Sequence, residues 1–296
     1  MDYKTIRYDV SDGIATITLA RPTSLNAYNV DMMHDLLAAF DAVDSDDSVR
    51  AVIVTGDGRA FCAGADLSPE SKTFEFGRQG ESVPRTSNGS FVYSDAIVRD
   101  GGGLLTLRIY RCLKPVIAAI NGPAVGVGVT MTLAMDYRLA SESARFGFVF
   151  AKRATVPEAA STWFLPRLVG MPKALDWCYS GRIFPAAEAL DAGLVQKLCP
   201  EGDLLSSARE LALTYATGTA PVSIALTRQM LWRGLGAAHP MEAHKVDSRG
   251  ILSRLVSRDG AEGIASFLEK RPPQFPDTVS QDMPDYFPWW TDPAYE

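Results

Sequence analysis

Histidine and cysteine are scarce, three and four in 296 residues. Cys62, Cys112, Cys178 and Cys199 form no C-x-x-C pair, and with so few histidines no metal site is expected. Four scattered thiols in a core-rich chain read as reduced cysteines of a cytosolic protein. Cys62 has no histidine near it in sequence, which argues against a nucleophile. Basic residues are outnumbered, 29 against 35 acidic, for a net charge of −6. A nucleic-acid partner gripped by a basic face is therefore not expected. No apolar run reaches the about 18–20 residues of a membrane span. The first residues, Met1-Asp2-Tyr3-Lys4-Thr5, lack the basic start and apolar stretch of a signal peptide, and the last, Asp292 to Glu296, are no peroxisomal address. The expectation is a cytoplasmic protein.

What is present is ordinary for a globular enzyme: 47% hydrophobic and 22% charged residues. Ile14 to Leu19 alternates apolar and polar and predicts a strand. Val30 to Val43 repeats apolar residues at helical spacing, with Met33, Leu36, Leu37 and Phe40 on one side. Val49 to Thr55 is apolar on both faces, as in a central strand. Strand, helix, strand implies a parallel sheet with a crossover helix. Ser68 to Gly103 is polar and Gly/Ser-rich without a period, so it reads as a mobile segment over a site or a surface insertion. A helix over Leu104–Leu113, a buried strand over Pro115–Ile120, a helical run over Val125–Met135 and a strand over Asp136–Ala140 follow. Arg145 to Phe150 reads as extended and Glu158 to Leu168 as helical. Two short helices, Lys173–Ser180 and Pro185–Ala192, lead to a strand-like exit at Leu194–Pro200. Beyond it the pattern is helical: Gly202–Thr217, Val222–Arg233, Met241–Ser257 and Ala261–Arg271. There is no internal repeat. The division expected is a core over 1–200, a helical region over 201–275 and an aromatic tail over 276–296.

Two glycine-rich stretches stand out. Gly56 to Leu67 ends in Phe61-Cys62-Ala63-Gly64-Ala65-Asp66-Leu67. Asn121 to Gly128 reads Asn-Gly-Pro-Ala-Val-Gly-Val-Gly between a buried strand and a helical pattern. A β-branched strand, a glycine turn and a helix start can aim backbone N–H groups at a developing negative charge. Taken alone, the first stretch reads first as a tight loop; close helix packing is the lesser alternative for the Gly126/Gly128 spacing.

These stretches, with Arg21-Pro22-x-x-Leu25-Asn26-Ala27 and Asp259-Gly260-x-Glu262-Gly263-x-x-x-Phe267-Leu268-Glu269-Lys270-Arg271, resemble the crotonase (enoyl-CoA hydratase/isomerase) superfamily, from about Ile6 to Phe275. Four motifs in the right order make the resemblance specific. It implies an α/β fold, a crotonase (ClpP-like) spiral of ββα turns with a helical C-terminal trimerisation region, assembled as homo-trimer or hexamer. It implies an acyl-CoA thioester substrate and no separate cofactor, coenzyme A arriving with the substrate. Ala65 and Val127 match the positions whose N–H groups hold the thioester oxygen. Ser24, Ala27, Ala63, Asp66, Leu67 and Gly126 match those that cradle the CoA. Asp66 reads equally as a helix cap.

The departures bear on the reaction. Hydratases of the family use two glutamates; their positions here are Thr130 and Phe150, so hydration by two carboxylates is in doubt. Glu158 remains, within Val156-Pro157-Glu158-Ala159-Ala160-Ser161. That segment resembles the one carrying the base of the peroxisomal-type Δ3,Δ2-enoyl-CoA isomerases, which implies a single base moving a proton from C2 to C4 through a dienolate. From the residues alone, Glu158 after a proline at a helix start is equally an acid favoured by the helix dipole. Hydration, C–C cleavage and thioester hydrolysis are alternatives on this scaffold, as is a non-catalytic acyl-CoA-binding subunit. Lys152 and Arg153 read as a solvated pair, and His34, His239 and His244 as structural or exposed. The tail Pro284 to Trp290 would expose aromatics unless it packs on its own or a neighbouring subunit.

Overall fold

Strands β1 (Ile6–Ser11) and β2 (Ile14–Leu19), helix α1 (Val30–Ser45) and strand β3 (Ala51–Gly56) open the fold in the computed structural model, which describes residues 2–68, 71 and 84–295. Helix α2 (Gly101–Arg111), strands β4 (Val116–Ile120) and β5 (Ala124–Val125), the single turn of helix α3 (Val127–Thr130), and strands β6 (Tyr137–Ser141) and β7 (Arg145–Gly147) follow. Then come α4 (Ser161–Val169), α5 (Met171–Ser180), β8 (Ile183–Pro185), α6 (Ala186–Asp191), β9 (Lys197–Cys199) and α7 (Leu204–Ala216). Helices α8 (Pro221–Gly234), α9 (Pro240–Leu255) and α10 (Arg258–Glu269) close the chain before the tail.

Two sheets form. The larger has the order β1-β2-β3-β4-β6-β9, antiparallel only between β1 and β2. The smaller is β5-β7-β8. The parallel strands read as central are buried on both faces, as such strands must be. Val52, Val54, Val116, Ala118 and Ile120 face one core with Met32, Leu36 and Phe40 of α1. Their alternates Ala51, Ile53, Ile117 and Ala119 face a second core with Leu204, Ala208 and Ala212 of α7. Helix α7, past residue 200, thus completes the packing of the sheet rather than leading away from it. Strand β1 goes unread in the sequence, although Asp12-Gly13, both at positive φ, is a two-residue hairpin turn.

Three elements near the glycine loops differ from expectation. The helix expected over Val125–Met135 is α3, one turn long. Buried Arg138 donates to the carbonyls of Thr132 and Met135, at 3.0 and 2.7 Å, and so stabilises the turns that replace it. Helix α2 starts at Gly101, three residues early, with the Asp100 carboxylate capping Gly103 N–H at 2.7 Å. Helix α4 starts at Ser161, not Glu158. Of the polar stretch from Ser68 to Gly103, residues 69–70 and 72–83 lie outside the described residues.

Helix α8 is tied to the core by buried Arg228, which pairs with Asp136 at 2.8 Å and donates to the carbonyls of Tyr110, Cys112 and Ala134. The aromatic tail packs on its own chain. Arg233 lies 3.3 Å over the Trp290 ring, and Asp292 pairs with Arg111 and Arg233. Helices α9 and α10, in contrast, leave apolar side chains in water, with Leu255 57% and Phe267 82% exposed.

Candidate active site

The two glycine loops lie side by side. Cys62 N–H donates to Pro123 O at 3.1 Å and Val125 N–H to Cys62 O at 3.0 Å. The first loop is also stitched to the segment after β2. Tyr28 N–H donates to Gly64 O, and Asp66 N–H to Tyr28 O, both at 2.8 Å. Buried Asn26 braces the junction by donating to the carbonyls of Asp57 and Ala60, each at 2.8 Å. This ladder leaves the Ala65 N–H out of the pairing. Val127, the first residue of α3, has an N–H with no intrahelical acceptor. Neither N–H has a hydrogen-bond partner among the described residues. Gly64 (φ +109°) and Gly126 (φ +56°) adopt backbone shapes that side chains resist, which brings the loops together.

The structure also places Thr130, the last residue of α3, against Glu158. Thr130 Oγ1 lies 2.5 Å from Glu158 Oε1 and 3.2 Å from Gly126 O. Its single proton can serve either acceptor, so the hydroxyl can donate to a Glu158 carboxylate or accept from the protonated acid. Glu158 sits in a turn ahead of α4, not in that helix. Ala159 and Ala160 both take left-handed conformations there, and the Glu158 carbonyl accepts from Ser161 N–H at 2.9 Å. Two left-handed alanines are strained, about 1 kcal/mol or more each. The dipole reading of Glu158 therefore loses its helix.

A second carboxyl, which the sequence did not reveal, meets the first. The Asp100 carboxyl lies beside that of Glu158, the two meeting over Gly102, where a Cβ would come within 2.1 Å of Glu158 Oε2 and 3.1 Å of Asp100 Oδ1. Asp100 Oδ1 also accepts from Ala159 N–H at 3.3 Å. The reading of Glu158 as the single carboxylate of the site is thus corrected. Burial pushes the Glu158 carboxyl from its ordinary 4.5 up to about 8; the Thr130 hydroxyl works against this and the Asp100 charge adds to it. Tyr28, buried beside them, donates its hydroxyl to Gly101 O at 3.0 Å. Burial, then Glu158 and Asp100, raise its pKa well above 10. Burial pushes the Cys62 thiol up to about 12, which keeps it protonated and unsuited to nucleophilic attack.

The positions expected to cradle CoA surround the first loop. Ser24 caps its own turn on Arg21 O, and Ala63 N–H donates to Leu25 O at 3.0 Å. The Ala27 carbonyl accepts from Arg21. Asp66 is buried and engaged: burial alone would raise its pKa, but Ser68 and the Arg21 guanidinium, 2.8 Å away, hold it below the usual range. Leu67 is 59% exposed. Phe150 is buried in the main core. Lys152 and Arg153 are exposed, and His239 caps α9 through Nδ1. No cluster of metal-binding side chains occurs among the described residues, and no described helix is long and apolar enough to cross a membrane.

An unpartnered pair of N–H donors with one raised carboxyl nearby suits chemistry that builds negative charge on an oxygen while a proton leaves carbon. Residues 9–278 match the family model described as enoyl-CoA hydratase/isomerase. The chain is 42% identical over 272 residues to an enoyl-CoA hydratase of Alternaria alternata, covering 92% of this chain and 86% of that one. It is 33% identical over 274 residues to the 1,2-epoxyphenylacetyl-CoA isomerase of Escherichia coli K12, covering 90% and 96%. Among solved structures, an enoyl-CoA hydratase from Bacillus anthracis superposes with a TM-score of 0.79 at 29% identity, covering 92% of this chain and 99% of that one.

Proposed function

The chain belongs to the enoyl-CoA hydratase/isomerase family, the crotonase superfamily, and on that premise we propose that it shifts a carbon–carbon double bond in an enoyl-CoA, with Glu158 as the base. The Ala65 and Val127 N–H groups receive the thioester oxygen. Glu158 takes the proton from C2, the electron pair moves into a dienolate held by the two donors, and Glu158 returns the proton at C4. Preorganised donors of this kind are worth several kcal/mol in the transition state, since they need no rearrangement as charge develops. The observation that supports this reading best is the Glu158 carboxyl itself, raised to about 8 and hydrogen-bonded by Thr130. A carboxylate of high proton affinity is a stronger base toward a weak carbon acid. Ser24, Ala27, Ala63, Asp66, Leu67 and Gly126 form the CoA cradle in this proposal, Asp66 through its hold on Arg21.

Hydration is the second reading, and Asp100 favours it. Two adjoining carboxyls could bind and split a water between them, and most relatives of the chain bear a hydratase name. An assay separates the readings. Isomerisation makes a 3-enoyl-CoA gain the absorbance of a conjugated thioester and leaves a 2-enoyl-CoA unchanged. Loss of 2-enoyl-CoA absorbance without the first reaction would overturn the proposal in favour of hydration.

The apolar side chains that α9 and α10 leave exposed support self-association through these helices. Replacing Phe267 with Asp should lower the mass seen by light scattering; an unchanged mass would count against it.

A further inference from the structure

The run Gly101-Gly102-Gly103 forms the first turn of α2, where three glycines weaken a helix. The surroundings account for each of them. A Cβ at Gly101 would lie 2.9 Å from Met33 Sδ, and one at Gly103 2.5 Å from Asp100 Oδ2. A Cβ at Gly102 would lie 2.1 Å from Glu158 Oε2 and 3.1 Å from Asp100 Oδ1. The bare face of Gly102 is what lets the two carboxyls meet.

We propose that Asp100 is a positioning residue: across Gly102 it orients the Glu158 carboxyl and accepts the hydrogen bond of its protonated form. Asp100 is fixed for this task. Its Oδ1 accepts from Gly103 N–H at 2.7 Å, which caps α2, and from Ala159 N–H at 3.3 Å, which holds the turn that carries Glu158. One side chain thereby ties the start of α2 to the strained turn. The two Glu158 oxygens are addressed separately, Oε1 by Thr130 and Oε2 from the Gly102 and Asp100 side.

The groups that face Glu158 are Thr130 from α3, Gly102 from α2 and Asp100 at its cap, Tyr28 from the segment after β2, and Cys62 from the first loop. Tyr28 and Cys62 stay neutral near neutral pH, so the charge acting on Glu158 is that of Asp100. Burial favours the neutral form of Glu158, so Glu158 holds its proton to higher pH than an ordinary glutamate. When Glu158 ionises, two negative charges face each other, and the carboxylate recovers a proton readily. When it has taken one from C2, the new acid hydrogen-bonds to Asp100 instead of losing the proton to water.

This rests on Glu158 as the base of the reaction, but the test reads the carboxyl directly. In protein labelled with carbon-13 at glutamate side chains, Glu158→Gln identifies the Glu158 resonance. Its titration midpoint is then compared in the native chain, Asp100→Asn and Asp100→Ser. Both replacements are good helix N-caps, so α2 keeps its cap while the charge goes. The midpoint should move to lower pH in both, and kcat should fall about tenfold with KM little changed. A midpoint that stays in place in a folded variant would overturn the proposal. The titration result holds whether or not Glu158→Gln abolishes turnover, so a failure of the base assignment is told apart from a failure of the coupling.

Discussion

Glu158 and Glu188 are the same side chain under opposite conditions. Glu188, on α6, faces cations and donors. The Arg182 guanidinium bonds both its oxygens, the Trp177 indole N–H donates to it at 2.8 Å, and Lys173 lies 3.8 Å away. Arg182 above all holds it down, to about 2. Glu158 meets a hydroxyl and another carboxyl, and burial pushes it up to about 8. Their effects on stability therefore run in opposite directions. Glu188 contributes stability above its ordinary 4.5 that is lost as pH falls toward about 2. Glu158 contributes stability below 4.5 that is lost as pH rises toward about 8. One carboxyl serves the fold, and the other keeps a high proton affinity at the expense of the fold, as reactive groups do.

The contrast breaks most visibly by removing the raised carboxyl. Glu158→Gln should cut isomerisation by about 10³-fold while acyl-CoA binding persists, measured by initial rates and calorimetry. Removing its hydroxyl partner has a smaller effect. Thr130→Val keeps the shape but deletes the bond that lowers the Glu158 pKa. The acid limb of kcat/KM should move to higher pH, with a rate loss of about tenfold at neutral pH. The smallest effect on turnover belongs to the other glutamate. Glu188→Ala should leave kcat within about twofold, but it orphans the indole N–H of fully buried Trp177. The cost is about 1–3 kcal/mol of stability, read as a lower urea midpoint.

How far these sites could be read in sequence follows from what fixes them. The β3 and β4 strands were legible because apolar residues on both faces leave no other place for them. The loop pair was legible through its glycines, since Gly64 and Gly126 answer a backbone need at their own positions. Strand β1 was missed although Ile6, Tyr8 and Val10 alternate ahead of Asp12-Gly13. Glu158 was visible as a residue but misplaced at a helix start, because alanine gives no sign of a left-handed turn at Ala159 and Ala160. Asp100 was hidden in a polar stretch without a period; only the fold brings it 58 residues forward in sequence to Glu158. The three glycines after it were the available clue. They sat where a loop was expected, and a glycine-rich loop calls for no further explanation.

The ionisation of Glu158 in the working enzyme decides whether it is the base. The measurement is kcat/KM for a 3-enoyl-CoA from about pH 5 to about pH 10, which reports the essential groups of the free enzyme. A base raised as Glu158 is must lose its proton first, so kcat/KM should climb with pH and level off above about 8. A profile already level from about pH 5 upward, as an ordinary glutamate would give, would contradict it.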